Sequence, residues 1–348
     1  MIYNLQLLRA LAALAVVYLH VVSDAGLNLG IGVGNYGVDV FFVISGFTIS
    51  YVGQMPAGAF MLRRVIRIVP LYWGATLGAY AVAWLVPGSL QSASADVRHL
   101  MYSLFFLPYP NKLGQLLPTL ALGWTLNYEM YFYLLFGVAL LFTIRWAPIL
   151  ASAFMALLAA TVWLSGTTSE AVLFYAKPII VEFALGILVY YLAQSERVKR
   201  LVLARPSQAK WVLIALGAVS AVALPLQELY QCERALGAGP PAFVLVLVVI
   251  LLERQLHITV KQRWVIMLGD ASYVLYLIHP YILYGLIRML LDPSHMGTVS
   301  LALGVVLLPL AATLAAVAIH LVLERPVLTY LRDRLVKKPT TVRPMAAA

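Results

Sequence analysis

The strongest constraint on this chain is a succession of apolar runs, each about as long as a bilayer is thick. A spanning helix needs ~20 mostly apolar residues. Candidate runs lie at 5–22, 36–53, 70–87, 121–144, 146–165, 170–193, 210–226, 240–253, 264–291 and 299–323. No soluble arrangement buries them all, because 63% of the 348 residues are hydrophobic and only 11% are charged. That composition leaves too little polar surface to clothe a globule. The expected fold is all-α, a polytopic membrane protein of about ten transmembrane helices. The first run is not followed by a small-residue cleavage site and a soluble domain, so it reads as a retained helix. The stretch 98–120 is apolar but broken by Pro108, Pro110 and Pro118, which suggests an interfacial or re-entrant segment. A single membrane domain is expected over 1–335, with a disordered cytoplasmic tail over 336–348.

The net charge of +10 sits in short blocks between the apolar runs. This is the positive-inside pattern of a membrane protein and not a nucleic-acid-binding stripe. With the N-terminus inside, Arg63, Arg64, Arg67, Arg145, Arg197, Lys199, Arg200, Arg205, Lys210, Arg254, Lys261 and Arg263 fall on the cytoplasmic side. The outer loops would hold only Arg98, Lys112 and Arg234. An even number of spans then places both termini in the cytoplasm. The bilayer is the expected partner, nucleic acid is not, and a homo-oligomer is compatible with everything above. One cysteine, Cys232, rules out an intrachain disulfide and any multi-cysteine metal site, and no metal is expected.

An ionisable side chain at a helix centre in the membrane costs about 2.5–3.5 kcal/mol, so each needs a partner or a purpose. Arg9 lies near the inner end of the first run. His20 follows eleven residues later, about 16 Å further along a helix axis. The alternating topology puts Asp39, Glu129 and His279 near the outer level of His20, and Arg64 and Arg67 at the inner level. Two tiers result, cations below and a His/Asp/Glu cluster above. Histidine is the usual tunable base, which a carboxylate can orient. An anion arriving from the cytoplasm would meet Arg9, Arg64 and Arg67 first.

Plainer readings compete with each residue alone. Arg9 can snorkel to the headgroups, His20 can cap a helix end in a wet interface, and Asp39 can be an N-terminal acid favoured by the dipole. Glu129 resists such a reading, since it lies among aromatics in "WTLNYEMYFYLLF". Lys177 and Glu182 flank Pro178, which suggests a kinked helix and a structural ion pair. Pro280 is expected to open the helix after His279. His99, His257 and His295 read as loop residues and His320 as interfacial. Cys232 has no evident activating neighbour except Arg234.

Six motifs resemble, in order, those of the acyltransferase-3 family of bacterial integral-membrane O-acyltransferases. They are Arg9 and His20 with ten residues between them; "GVDVFFVISGF" at 37–47; "RRVIRIVPLYW" at 63–73, holding Arg64 and Arg67; "WTLNYEMYFY" at 124–133, holding Trp124 and Glu129; "ASYVLYLIHPY" at 271–281; and "ERP" at 324–326. The resemblance implies transfer of an acyl group, most often acetyl, from cytoplasmic acyl-CoA to a hydroxyl of an extracytoplasmic or lipid-linked glycan, in the bacterial inner membrane. It implies His20, Glu129 and Asp39 as catalytic residues and Arg9, Arg64 and Arg67 as the acetyl-CoA site. Trp124 and His279 are implied on the acceptor side. Direct transfer and an acyl relay on His20 both remain open. The compact, exopolysaccharide-modifying members are the most similar subtype. The rival class is a transporter or flippase for a lipid-linked glycan or anionic substrate. No repeat of the two halves supports it.

Overall fold

The computed structural model describes residues 2–24, 36–86, 95–226, 233–290 and 298–336. Among these the regular structure is entirely helical. The helices are α1 (Tyr3–Asp24), α2 (Gly37–Val52), α3 (Ala57–Leu85), α4 (Val97–Leu104), α5 (Trp124–Phe142), α6 (Ala147–Ser165), α7 (Glu170–Tyr175) and α8 (Val181–Gln194). They continue as α9 (Glu196–Ala204), α10 (Pro206–Leu226), α11 (Arg234–Gly237), α12 (Gly239–Arg254), α13 (Arg263–Leu290), α14 (Thr298–Ile319) and α15 (Arg325–Leu335). Nine segments among the described residues are long and apolar enough to cross a bilayer, and α2 is a shorter apolar helix. The chain is thus an all-α, multi-pass membrane protein. Large apolar side chains such as Trp84, Trp163, Leu164, Phe142 and Trp211 point outward, as expected where the surroundings are lipid. The tail expected from 336 onward lies outside the described residues except for Val336, and Cys232 and His295 lie outside them too.

The C-terminal end of α12 meets the N-terminal end of α1. There the Glu253 carboxylate accepts from the first backbone N–H groups of α1, Tyr3 at 2.9 Å and Asn4 at 2.7 Å. An anion on a helix N-terminus satisfies orphan donors and suits the dipole. The Asn4 side chain donates to Ile258 O at 2.7 Å and accepts from Val260 N–H at 2.9 Å. The start of α1 is thereby tied to the α12–α13 connection. Arg254 lies over the Tyr51 ring at the same end, 5.3 Å from its centroid.

Small residues set the helix spacing around α1 and α2. A Cβ on Gly46 of α2 would meet Phe183 O at 2.1 Å, and one on Gly186 of α8 would meet Val43 O at 2.1 Å. The two backbones therefore touch, the close approach that glycines permit between helices in lipid. Gly269 of α13 does the same against Gln6 O of α1, at 2.4 Å. Behind these contacts an aromatic core joins α2, α5 and α8: Phe183 stacks on Phe42 at 4.7 Å and on Phe132 at 4.5 Å. Stacked rings add to area burial in holding three helices together.

Several sequence expectations need correction. Pro178 does more than kink its span: α7 ends at Tyr175, a 3₁₀ turn covers Pro178–Ile180, and α8 begins at Val181. Lys177 and Glu182 do not pair. Lys177 is exposed and lies over the Phe174 ring, while Glu182 is fully buried. Pro280 does not open its helix, since α13 runs through it to Leu290. His99 is a buried residue of α4 whose Nε2 bonds Leu117 O at 2.8 Å, not a loop residue. His320 is buried as well. The stretch 98–120 packs against α3, where Tyr72 and Trp73 donate to Ser103 O and Leu104 O at 3.0 and 2.9 Å.

Candidate active site

A cavity of about 340 Å³ opens between α1, α2, α3, α5 and α13. Arg9 reaches it from α1, Arg64 and Arg67 from α3, Glu129 and Tyr133 from α5, Ser45 from α2, and Tyr273 and Tyr276 from α13. Spacing along α3 brings the two arginines together, since residues three apart share a helix face. Their partners differ. Arg67 Nη1 donates to Glu324 Oε1 at 3.0 Å, and its guanidinium lies 5.7 Å from the Tyr273 ring centroid. Arg64 is held by aromatic faces, 5.8 Å from Phe60 and 5.9 Å from Tyr133, and its buried Nε has no hydrogen-bond partner. Among the described residues Arg9 bonds the neutral Gln6 amide, at 3.4 Å, with Asp270 and Glu129 within electrostatic reach. Among the described residues neither Arg9 nor Arg64 forms a salt bridge.

Glu129 is in this cavity and not beside the histidines. Ser45 Oγ donates to its Oε1 at 2.8 Å, and Tyr133 Oη, one helical turn along α5, donates to the same oxygen. The expected upper cluster is thus split into separate sites. Asp39, in the first turn of α2, is fully buried and faces Arg234, with Nε to Oδ1 at 2.8 Å and Nη2 to Oδ2 at 2.9 Å. Arg234 also lies 5.9 Å from the Trp124 ring, and neither Asp39 nor Trp124 lines the cavity. The buried carboxylate of Glu182 has Asp39 and Arg234 as its electrostatic neighbours.

The histidines form a pair of their own. His20 Nδ1 lies 2.9 Å from Val16 O, and His279 Nδ1 lies 2.9 Å from Leu275 O. A carbonyl only accepts, so each Nδ1 carries its proton. His279 Nε2 lies 3.3 Å from His20 Nδ1, with ring centroids 4.9 Å apart. The bare His279 Nε2 therefore takes a second share of the His20 Nδ1–H, and His20 Nε2 is left as the basic nitrogen of the pair. The aromatic pair Phe41–Tyr276 forms part of the cavity wall, and Tyr276 links that wall to the histidines. Tyr276 lines the cavity, meets the edge of Phe41 at 6.1 Å, and has its ring 6.4 Å from that of His279. Its hydroxyl is fixed by Thr125 Oγ1 at 3.0 Å and Leu122 O at 3.3 Å.

Sequence reasoning left Ser45, Tyr133, Glu324 and Arg234 without roles. Tyr133 was legible in principle, four residues after Glu129 on the same face. Arg234 was masked by its place at the edge of an apolar run, where it reads as a loop residue.

The family model described as "Acyltransferase domain" matches residues 2–324. The exopolysaccharide production protein ExoZ of Rhizobium meliloti (strain 1021) is 32% identical over 328 residues, covering 91% of this chain and 96% of that protein. No solved structure matches the chain. With nearly its whole length spanned by that domain, the chain belongs to the acyltransferase-3 family and is a multi-pass membrane acyltransferase.

Proposed function

We propose that the protein transfers an acyl group, acetyl above all, from cytoplasmic acyl-CoA to a sugar hydroxyl of an exopolysaccharide or its lipid-linked precursor, across the bacterial inner membrane. The observation that carries this reading is the cavity wall, where Arg9 and Arg64 lack a carboxylate partner and Arg64 Nε is left unbonded. Unpaired guanidiniums in a membrane interior suit an anionic ligand, and their planar forks match phosphate oxygens. Arg64, Arg67 and Arg9 bind the CoA phosphates. Glu129, held by Ser45 and Tyr133, keeps the arginines apart and limits their mutual repulsion. The acyl end of the donor then points toward the Phe41–Tyr276 wall and the histidines linked to it.

At the histidine pair, His20 Nε2 takes the proton of the sugar hydroxyl as its oxygen attacks the thioester carbonyl. A C–O bond forms, the C–S bond breaks, and the proton passes from His20 to the departing thiolate. His279 holds the His20 ring in the required tautomer, as the orienting group of a catalytic triad does. Asp39 and Trp124 act at a distance, by fixing the start of α2 through Arg234. ExoZ is by its name an exopolysaccharide production protein, which supports a polysaccharide acceptor here.

The test uses purified protein in lipid nanodiscs with labelled acetyl-CoA and isolated polysaccharide. His20→Ala is expected to lower kcat at least about a thousandfold, as loss of a general base does. A wild-type rate in that variant would remove His20 from the chemistry. A labelled adduct trapped on His20 would replace the base role with an acyl relay.

A further inference from the structure

The "ERP" motif takes no part in the reaction outlined above, yet it sits in an unusual piece of backbone. Between α14 and α15 residues His320–Glu324 form a π turn, in which Arg325 N–H donates to His320 O, five residues back. Pro326 supplies the cause. It lacks the N–H that would bond Val322 O, so the regular ladder fails there and the turn widens. Single π turns inside long helices are frequent at functional sites.

This turn places a buried carboxylate against Arg67, which lines the arginine cavity. Glu324 is 3% exposed. Its Oε1 accepts from Arg67 Nη1 at 3.0 Å and its Oε2 accepts from His320 Nδ1 at 2.6 Å. Both carboxylate oxygens are thus engaged, one by each partner. Arg67 is held on two sides, by Glu324 and by the face of Tyr273, whose own hydroxyl is fixed on Ile68 O at 2.9 Å. The Glu324 bond occupies Nη1 and leaves Nε and Nη2 to meet a ligand in the cavity.

We propose that Glu324 is a positioning residue for the acyl donor: it aims the Arg67 guanidinium at the donor's phosphates, and His320 locks Glu324 in that orientation. The inference rests on the reading of Arg67 as a donor-binding residue. It differs from a purely structural role in one respect. The effect of losing Glu324 must depend on the phosphates of the donor.

The experiment compares acetyl-CoA with S-acetylpantetheine, a thioester donor without phosphates, on the purified full chain. Glu324→Gln is expected to raise the KM for acetyl-CoA about tenfold, a coupling of ordinary size for neighbouring charged groups. Its kcat, and its kcat/KM for S-acetylpantetheine, stay within about twofold of wild type. Arg67→Ala shows the same donor selectivity, and the double variant is no worse than Arg67→Ala alone. His320→Leu raises the acetyl-CoA KM in the same direction. His320→Asn, whose amide nitrogen stands close to the position of Nδ1, restores most of the affinity.

Equal losses on both donors, or additive losses in the double variant, overturn the proposal. So does an acetyl-CoA KM unchanged by Glu324→Gln while Arg67→Ala raises it, and the donor site then survives. If Arg67→Ala itself leaves the acetyl-CoA KM unchanged, the donor-site reading falls and this inference falls with it.

Discussion

Two groups of buried charge occupy this bundle, and they are finished differently. In the first, Asp39 and Arg234 close on each other through two hydrogen bonds, which leaves Arg234 committed to its carboxylate. In the second, Arg9 and Arg64 line a cavity without a salt bridge among the described residues, and Glu129 in the same cavity is occupied by hydroxyls. The same residue types at comparable burial therefore serve different ends. A closed pair offsets its own desolvation and holds helices in place. Guanidiniums left open keep that capacity for something that arrives later.

The contrast can be broken experimentally. Asp39→Ala removes both hydrogen-bond acceptors that Asp39 offers to the half-buried Arg234 and should cost about 3 kcal/mol of stability. Thermal unfolding in detergent measures it. The acetyl-CoA KM of the protein that remains folded should stay near wild type, and a selective rise in KM would put Asp39 in the donor site after all. The combined change Arg9→Ala and Arg64→Ala, at the two arginines without a salt bridge among the described residues, should do the reverse. It raises the acetyl-CoA KM about a hundredfold, two charge-assisted contacts at about 1.5 kcal/mol each, with little change in unfolding temperature. An unchanged KM would mean that the open arginines serve the fold.

Smaller effects sharpen the picture. Phe41→Ala thins the aromatic part of the cavity wall, and should raise acceptor-independent acetyl-CoA hydrolysis about three- to tenfold by admitting water. Release of free CoA without sugar present reads this directly, and no increase would mean that Phe41 does not exclude water. Tyr133→Phe removes one of two donors to Glu129 and should cost about 1 kcal/mol, read as a fivefold drop in kcat/KM with acetyl-CoA. An equal drop with S-acetylpantetheine would place Glu129 nearer the chemistry than the phosphates.

The spans were legible because each is a continuous apolar run, and the chain's own composition forbids leaving such runs anywhere but in lipid. The separation of Arg9 and His20 along one helix was legible for a similar reason, since α1 carries both. Lateral neighbours were not. Asp39 meets a partner nearly two hundred positions away, a pairing set by how α2 packs on α12, about which local sequence says nothing. Lys177 and Glu182 were matched by proximity, and Pro178 defeated the match by breaking the helix that would have brought them together. Glu129 was placed beside the histidines from its depth, but α5 turns its acid toward Ser45 and the arginines, and depth carries no information about direction.

The central helix α2 is only sixteen residues long and mostly buried, whereas α3, across the cavity, has twenty-nine. At 1.5 Å per residue that is about 24 Å against about 43 Å. α2 is therefore shorter than the ~30 Å hydrocarbon core of a bilayer, while α3 exceeds it. On the proposed reading, a donor anion rising from the cytoplasm to the arginines travels down part of the inside-negative voltage, worth about 2.3 kcal/mol per charge for each full 100 mV crossed. Loading of the cavity should then be favoured in an energised membrane. Initial rates in proteoliposomes, with and without an imposed diffusion potential, measure that dependence, and equal rates would mean that the donor stops outside the field.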